Sequence, residues 1–247
     1  MTAAYTIAER IAAVQTRIAA AAARVGRSAD EITLIVVSKT HPMRRVNHVL
    51  AAGVHDLGEN RVQEAEEKIG YLTASQIGTR WHLIGHLQRN KARRAALTFT
   101  MIHSVDDLKL AEALSRIVDE EAEFISQPLP ILLQLNVSGE QSKEGFALAG
   151  GVDDRQWQSF VETVHQIAAL PFISVQGLMT IAPYSADLEG VVRPCFRRLR
   201  EVRDELARLV PTGDWRQLSM GMSGDFETAI EEGATMVRVG TAIFGER

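Results

Sequence analysis

The chain has 247 residues, 46% hydrophobic and 23% charged, a globular composition long enough to bury a sizeable core. Its 27 Lys and Arg against 31 Asp and Glu leave a net charge of −4, which excludes a global positive field for nucleic acid or an anionic membrane. No apolar run approaches the roughly 20 residues of a membrane span.

Glu9, Arg10, Arg17 and Arg24 interrupt the Ala-rich amino terminus, so it lacks the apolar region of a signal peptide. The single cysteine, Cys195, cannot form an internal disulfide, which fits a reducing compartment. A cytoplasmic protein is expected, without nucleic-acid or membrane partners.

In chain order, a leading amphipathic helix is predicted over about 7–25. Eight strand-like runs follow: TLIVVSK, VHDLGEN, RWHLIGH, TMIHSV, LPILLQLNV, ISVQGLMTI, RQLSMG and TMVRVGT. Helix-like stretches at 42–53, 61–72, 87–99, 106–124, 153–170, 188–210 and 225–233 separate them. Strands joined through helices run parallel, and eight such units in this length favour a (β/α)8 TIM barrel over an open doubly wound sheet. One domain over 1–247 is expected, because no long linker or repeat divides the chain; 148–155 reads as a longer loop.

In such barrels the chemistry lies at the carboxyl ends of the strands. Lys39 ends the first predicted strand. In LSMGMSGDFETAI, Ser219, Gly221, Ser223 and Gly224 form a small-residue turn before a helix, with Ser223 as its expected N-cap, an arrangement suited to a phosphate monoester. VRVGTAIFG supplies a second such turn, with Gly240 and Thr241 as donors. Arg238 alternates with Val237 and Val239, so it is expected to face the barrel interior, where it needs a partner: an internal acid such as Glu59, or a ligand acceptor. Amine, phosphate cradle and arginine in one mouth suit pyridoxal phosphate, with a phosphosugar enzyme using Lys39 as an aldolase-type amine as the alternative.

The segments VVSKTHP, LGENRVQEAEEK, WHLIGHLQRNK, IHSVD, LNVSGEQSKEGF, GLMTIAP and LSMGMSGDFETAIEEGATMVRVGTAIFG, in order from about Ile32 to Gly245, resemble the pyridoxal phosphate homeostasis proteins, also called the proline synthetase co-transcribed family. The resemblance implies a barrel like that of alanine racemase, with Lys39 forming an internal aldimine with pyridoxal 5'-phosphate. It places Ser219, Ser223, Gly240 and Thr241 on the phosphate, Arg238 at the pyridine nitrogen, Asn60 in the pocket, and Met220 and Met179 as neighbours. Arg61, His86 and Gly224 stand where the family varies or commonly has another residue. The β-rich domain that completes alanine racemase sites is expected to be absent.

An arginine leaves the ring nitrogen unprotonated, a weaker electron sink than a pyridinium beside an aspartate. Of the three tyrosines, Tyr5, Tyr71 and Tyr184, only Tyr184 falls near the rim. The expected role is therefore cofactor holding and release in intracellular pyridoxal phosphate homeostasis. It comprises buffering and delivery to apo-enzymes, without robust catalysis, by a monomer or weak dimer. The rival reading is a racemase or decarboxylase. No catalytic residue or metal site is assigned: His82 and His86 span a strand end, so helical ligand spacing does not apply. Arg89, Lys91, Arg93 and Arg94 read as a solvated helix face.

Overall fold

The computed structural model describes residues 6–73, 76, 78–140, 143–149 and 153–246. The β-branched and leucine-rich runs form the strands β1 (Thr33–Val37), β2 (Asp56–Glu59), β3 (Arg80–Leu83), β4 (Met101–Val105), β5 (Leu129–Asn136), β6 (Phe146–Ala147), β7 (Ile173–Met179), β8 (Gln217–Ser219) and β9 (Met236–Val239). The amphipathic stretches form α1 (Ile7–Arg24), α2 (Met43–Ala51), α3 (Val62–Ile69), α4 (Ala92–Thr98), α5 (Leu108–Glu120), α6 (Asp154–Ala168), α7 (Arg193–Leu209), α8 (Phe226–Glu231) and α9 (Thr241–Phe244).

All strand pairs are parallel, in the order β1-β2-β3-β4-β5-β7-β8-β9, and β9 returns to β1 with Ile35 opposite Arg238. The result is the expected closed eight-stranded (β/α)8 barrel. Alternation along each strand divides the side chains between two layers. Ile35, Met101, Leu132, Met179 and Met236 cluster inside the barrel, while Leu34, Val36, Val237 and Val239 join the larger core under the helices.

The eight predicted strands are all present but shorter, because their polar ends turn out of the ladder to form the rim. Among the described residues, a short strand and a short helix escaped the sequence reading. The two-residue β6 pairs outside β5, and α9 begins immediately after β9 where the strand pattern was expected to run on. Residues 150–152 of the expected longer loop lie outside the described residues. Register shifts along β5 and β7 opposite Gly177, whose φ is +147°; a Cβ there would lie 1.9 Å from the Gln217 carbonyl oxygen, so only glycine fits.

The leading helix is built in. A Thr6–Glu9 capping box starts α1, and Ile11, Val14 and Ile18 bury one stripe against the barrel's outer core. Arg17 and Arg24 then pair with Glu227 and Glu231 on α8. This fixes the short helix that follows the β8 turn.

Candidate functional site

A cleft of about 290 Å³ opens at the carboxyl ends of β1, β8 and β9. Lys39, Ser223, Arg238, Gly240 and Thr241 line it together, and Tyr184 borders it from the loop after β7. Five of the eight expected cofactor-binding positions therefore converge, although they are separated by up to two hundred residues in sequence.

Lys39 is half-buried directly after β1, and the next residue, Thr40, takes φ +66°, a left-handed conformation that costs a β-branched residue on the order of 1 kcal/mol. A buried network holds both of its flanks. Lys68 Nζ donates to the Ser38 carbonyl at 2.7 Å, to Glu59 Oε1 at 2.5 Å and to Glu64 Oε1 at 2.9 Å. Ser38 Oγ donates to Glu59 at 2.6 Å, and the Thr40 N–H donates to Glu64. Burial raises the Glu59 carboxyl above its usual range, against the pull of Lys68 and Ser38, and its Oε2 is buried without a hydrogen-bond partner.

The turn after β8 is tight. Gly221 has φ +94°, and a Cβ there would meet Ala229 Cβ at 2.6 Å and Phe226 Cα at 2.9 Å. Ser223 does not cap the helix that follows it. Asp225 holds the N-cap position of α8 and its carboxylate accepts the Met222 N–H at 2.5 Å, so the aspartate closes the turn. Ser223 Oγ instead accepts from the Gly240 and Ala242 N–H groups at 3.3 and 3.2 Å, capping the neighbouring α9 and leaving its own O–H as a donor. Ser223 thereby joins the two turns.

Arg238 points inward as its alternation with two valines required, and is 4% exposed. Its partner is not Glu59, which Lys68 and Ser38 occupy. The guanidinium donates to Ser219 Oγ at 2.6 Å and to the Thr180 carbonyl at 2.8 Å. Burial lowers its pKa to about 10, against the opposing pull of Asp225, so it remains a cation at neutral pH.

Ser219, expected on the phosphate, is thus turned into the barrel, where its Oγ also lies 2.9 Å from His103 Nδ1. Met220 lies in the apolar layer under the helices and Met179 in the inner cluster, so neither side chain lines the cleft. Asn60 borders a separate depression with Gly85 and His86. For Ser219, Met220 and Met179 the reason is side-chain direction: motif adjacency does not say which face of a strand end a residue takes.

The sequence reading also missed a line of buried polar groups behind the site. His82 and His103 occupy interior positions on β3 and β4, alternating with the outward Trp81, Leu83 and Ile102, and that period-two pattern was the available signal. His82 and His86 do not share a site. His86 is half-exposed, 3.3 Å from Asp106, and these two with Glu144 bring three ligand-type atoms within 4.8 Å of one another. Arg93 pairs with Glu120 and Glu121, and Arg94 with Glu66, so these two arginines of the basic helix face are matched by neighbouring helices. Tyr5 lies outside the described residues, Tyr71 is exposed after α3, and Tyr184 is fully exposed with no hydrogen bond to orient it among the described residues.

The sequence profile of the alanine racemase N-terminal domain matches residues 10–247. The pyridoxal phosphate homeostasis protein of Pseudomonas aeruginosa is 43% identical over 98% of this chain and 96% of its own. That of Escherichia coli K12 is 41% identical over 98% and 97%. Among solved structures, PipY of Synechococcus elongatus with PLP bound matches 97% of this chain and 100% of its own, with a TM-score of 0.81 and 34% identity. Clostridium difficile alanine racemase matches 94% of this chain but 56% of its own at 13% identity and a TM-score of 0.64, a likeness of fold alone. On this evidence the chain belongs to the family of pyridoxal phosphate homeostasis proteins.

Proposed function

We propose that the chain binds pyridoxal 5'-phosphate in the cleft at the barrel mouth and serves intracellular pyridoxal phosphate homeostasis. The observation that carries this reading is the convergence of Lys39, Ser223, Arg238, Gly240 and Thr241 on one cleft. The donor set fits the group. Lys39 offers the amine, the joined β8 and β9 turns offer hydroxyl and small-residue surface for the phosphate, and the Arg238 guanidinium is a permanent donor for the ring nitrogen. Bound there, the cofactor would supply a reactive aldehyde, and Lys39 would be the amine that holds it. The 34% identical PipY, solved with PLP bound, supports the assignment. Ser219 belongs to the proposed site at one remove, through Arg238, and Asn60 and Met220 are proposed with it on the family resemblance alone.

In this reading the whole of 1–247 acts as one cofactor-binding unit in the cytoplasm. It buffers a reactive aldehyde and delivers it to apo-enzymes, as a monomer or weak dimer, without robust catalysis. The purified protein is expected to show a visible absorbance band that Lys39→Ala abolishes; a band unchanged in that variant would identify another lysine. A wild-type preparation that stays colourless after reconstitution would overturn the assignment altogether.

Tyr184 at the cleft edge favours the second reading, a racemase or decarboxylase, since a phenol opposite an amine could serve the other face of a substrate. Its exposure and lack of an orienting hydrogen bond weigh against this. Amino acids incubated with the loaded protein in deuterated water are expected to keep their α-protons. Exchange at enzyme-like rates that Tyr184→Phe removes would establish the enzymatic reading instead.

A further inference from the structure

A buried cation ordinarily faces a carboxylate, and Arg238 faces two neutral oxygens, Ser219 Oγ and the Thr180 carbonyl. From Ser219 a line of buried groups continues down the barrel. His103 Nδ1 lies 2.9 Å from Ser219 Oγ, His103 Nε2 lies 3.0 Å from His82 Nδ1, and His82 Nε2 lies 3.0 Å from Asp56 Oδ1. Asp56 opens β2 at the amino-terminal end of the strands, opposite the cleft. There Arg80 grips it with two bonds, at 2.7 and 2.5 Å. The histidines and Ser219 are each at most 4% exposed.

The protons along this line are constrained at both ends. Burial pushes the Asp56 carboxyl up, but hydrogen bonds from His82 and Arg80 overcome this and bring it to about 2, so it only accepts and His82 Nε2 must carry a proton. Arg238 only donates, so Ser219 Oγ accepts from it. Burial, followed by the nearby His82 and Arg238, holds His103 well below the usual imidazole range, so it is neutral.

One choice then remains. If His82 is neutral, its Nδ1 accepts from His103 Nε2–H, and His103 Nδ1 accepts the Ser219 hydroxyl proton. If His82 carries a second proton, the His82–His103 and His103–Ser219 bonds both reverse. That alternative sets a further cation between Arg80 and Arg238, sharing with Arg80 the single carboxylate of the line.

We infer that Asp56, His82, His103 and Ser219 form a one-way hydrogen-bonded chain, every donor pointing toward Asp56, which turns the Ser219 oxygen toward Arg238 as its acceptor and so orients the guanidinium from the far end of the barrel. Polarisation passes along such a line because each bond strengthens the next in a low-dielectric interior. Ser219 spends its only proton inward and has none for a ligand. On the reading that the cleft takes pyridoxal phosphate, Asp56, His82 and His103 are positioning residues for the arginine that meets the ring nitrogen.

The test is long-range ¹H–¹⁵N NMR of the full chain labelled at histidine, at neutral pH, with and without pyridoxal phosphate. His82 and His103 are each expected as the neutral Nε2–H tautomer. An Nδ1–H tautomer at His103, or a doubly protonated His82, overturns the chain. Asp56→Asn can either accept from or donate to His82, so it is expected to populate both tautomers at His103, which it does not touch. It should also weaken pyridoxal phosphate binding on the order of tenfold, the size of one charge-assisted link. An unchanged His103 together with unchanged affinity overturns the proposed positioning role. If Asp56→Asn does not fold, the wild-type tautomers decide alone. Failure of the wild-type protein to bind pyridoxal phosphate would instead sink the cofactor reading and leave the tautomer result standing.

Discussion

Asp56 is remote from the cleft, yet its ionisation bears on stability. Its carboxyl is held at about 2 against an ordinary 3.8, a depression that corresponds to about 2 kcal/mol of folding stability. Because the folded value is the lower one, this contribution is present above the ordinary value and disappears as pH falls toward about 2. Urea midpoints of the wild type and Asp56→Asn should therefore differ at neutral pH and converge near pH 2. A gap that persists there would mean that the loss comes from packing, not charge. Lys39 illustrates the same dependence on neighbours. Its place at the rim comes from the end of β1, but its setting comes from Lys68 and Glu64, which hold the peptide groups on either side, and from Glu59, which takes the Ser38 hydroxyl.

The turn between β8 and α8 is the element on which the proposed phosphate end of the cleft rests. Two glycines in it make opposite demands. Gly221 has a left-handed φ and its absent Cβ is enclosed by Ala229 and Phe226, whereas a Cβ on Gly224 would meet nothing within 4 Å. Gly221→Ala should cost roughly 2 kcal/mol or more and shift the start of α8. Gly224→Ala should be neutral or stabilising by roughly 0.5 kcal/mol, since it restricts only the unfolded chain. Chemical denaturation of both variants checks the pair, and equal losses would show that the turn is not held as described. The helix beyond is anchored by charge: Arg193, Arg197 and Arg200 of α7 converge on Glu232 just past α8, as α1 does on Glu227 and Glu231. Six residues of helix would not hold their position alone.

At the scale of the molecule, closure of the sheet makes every part depend on the rest. Helix α1 covers the outer face beside α2, α8 and α9, and its Ile11, Val14 and Ile18 are almost fully buried. Exposing three such side chains costs roughly 5 kcal/mol or more, comparable to the whole stability of a typical domain. Deleting residues 1–24 should abolish cooperative unfolding, measured by circular dichroism, and a sharp transition at an unchanged midpoint would show α1 to be dispensable.

The barrel itself was legible from the chain, because period-two runs alternating with amphipathic stretches leave few topologies, and parallel strands must end on one rim. That rim position singled out Lys39, the two small-residue turns and the inward Arg238. What only the tertiary structure decided were the partners: Ser219 and Thr180 for Arg238 rather than Glu59, α9 rather than α8 for the cap of Ser223, and the buried line to Asp56. Alternation tells which face a side chain takes, but the residue it meets across a closed barrel depends on stagger and closure, which no local pattern encodes.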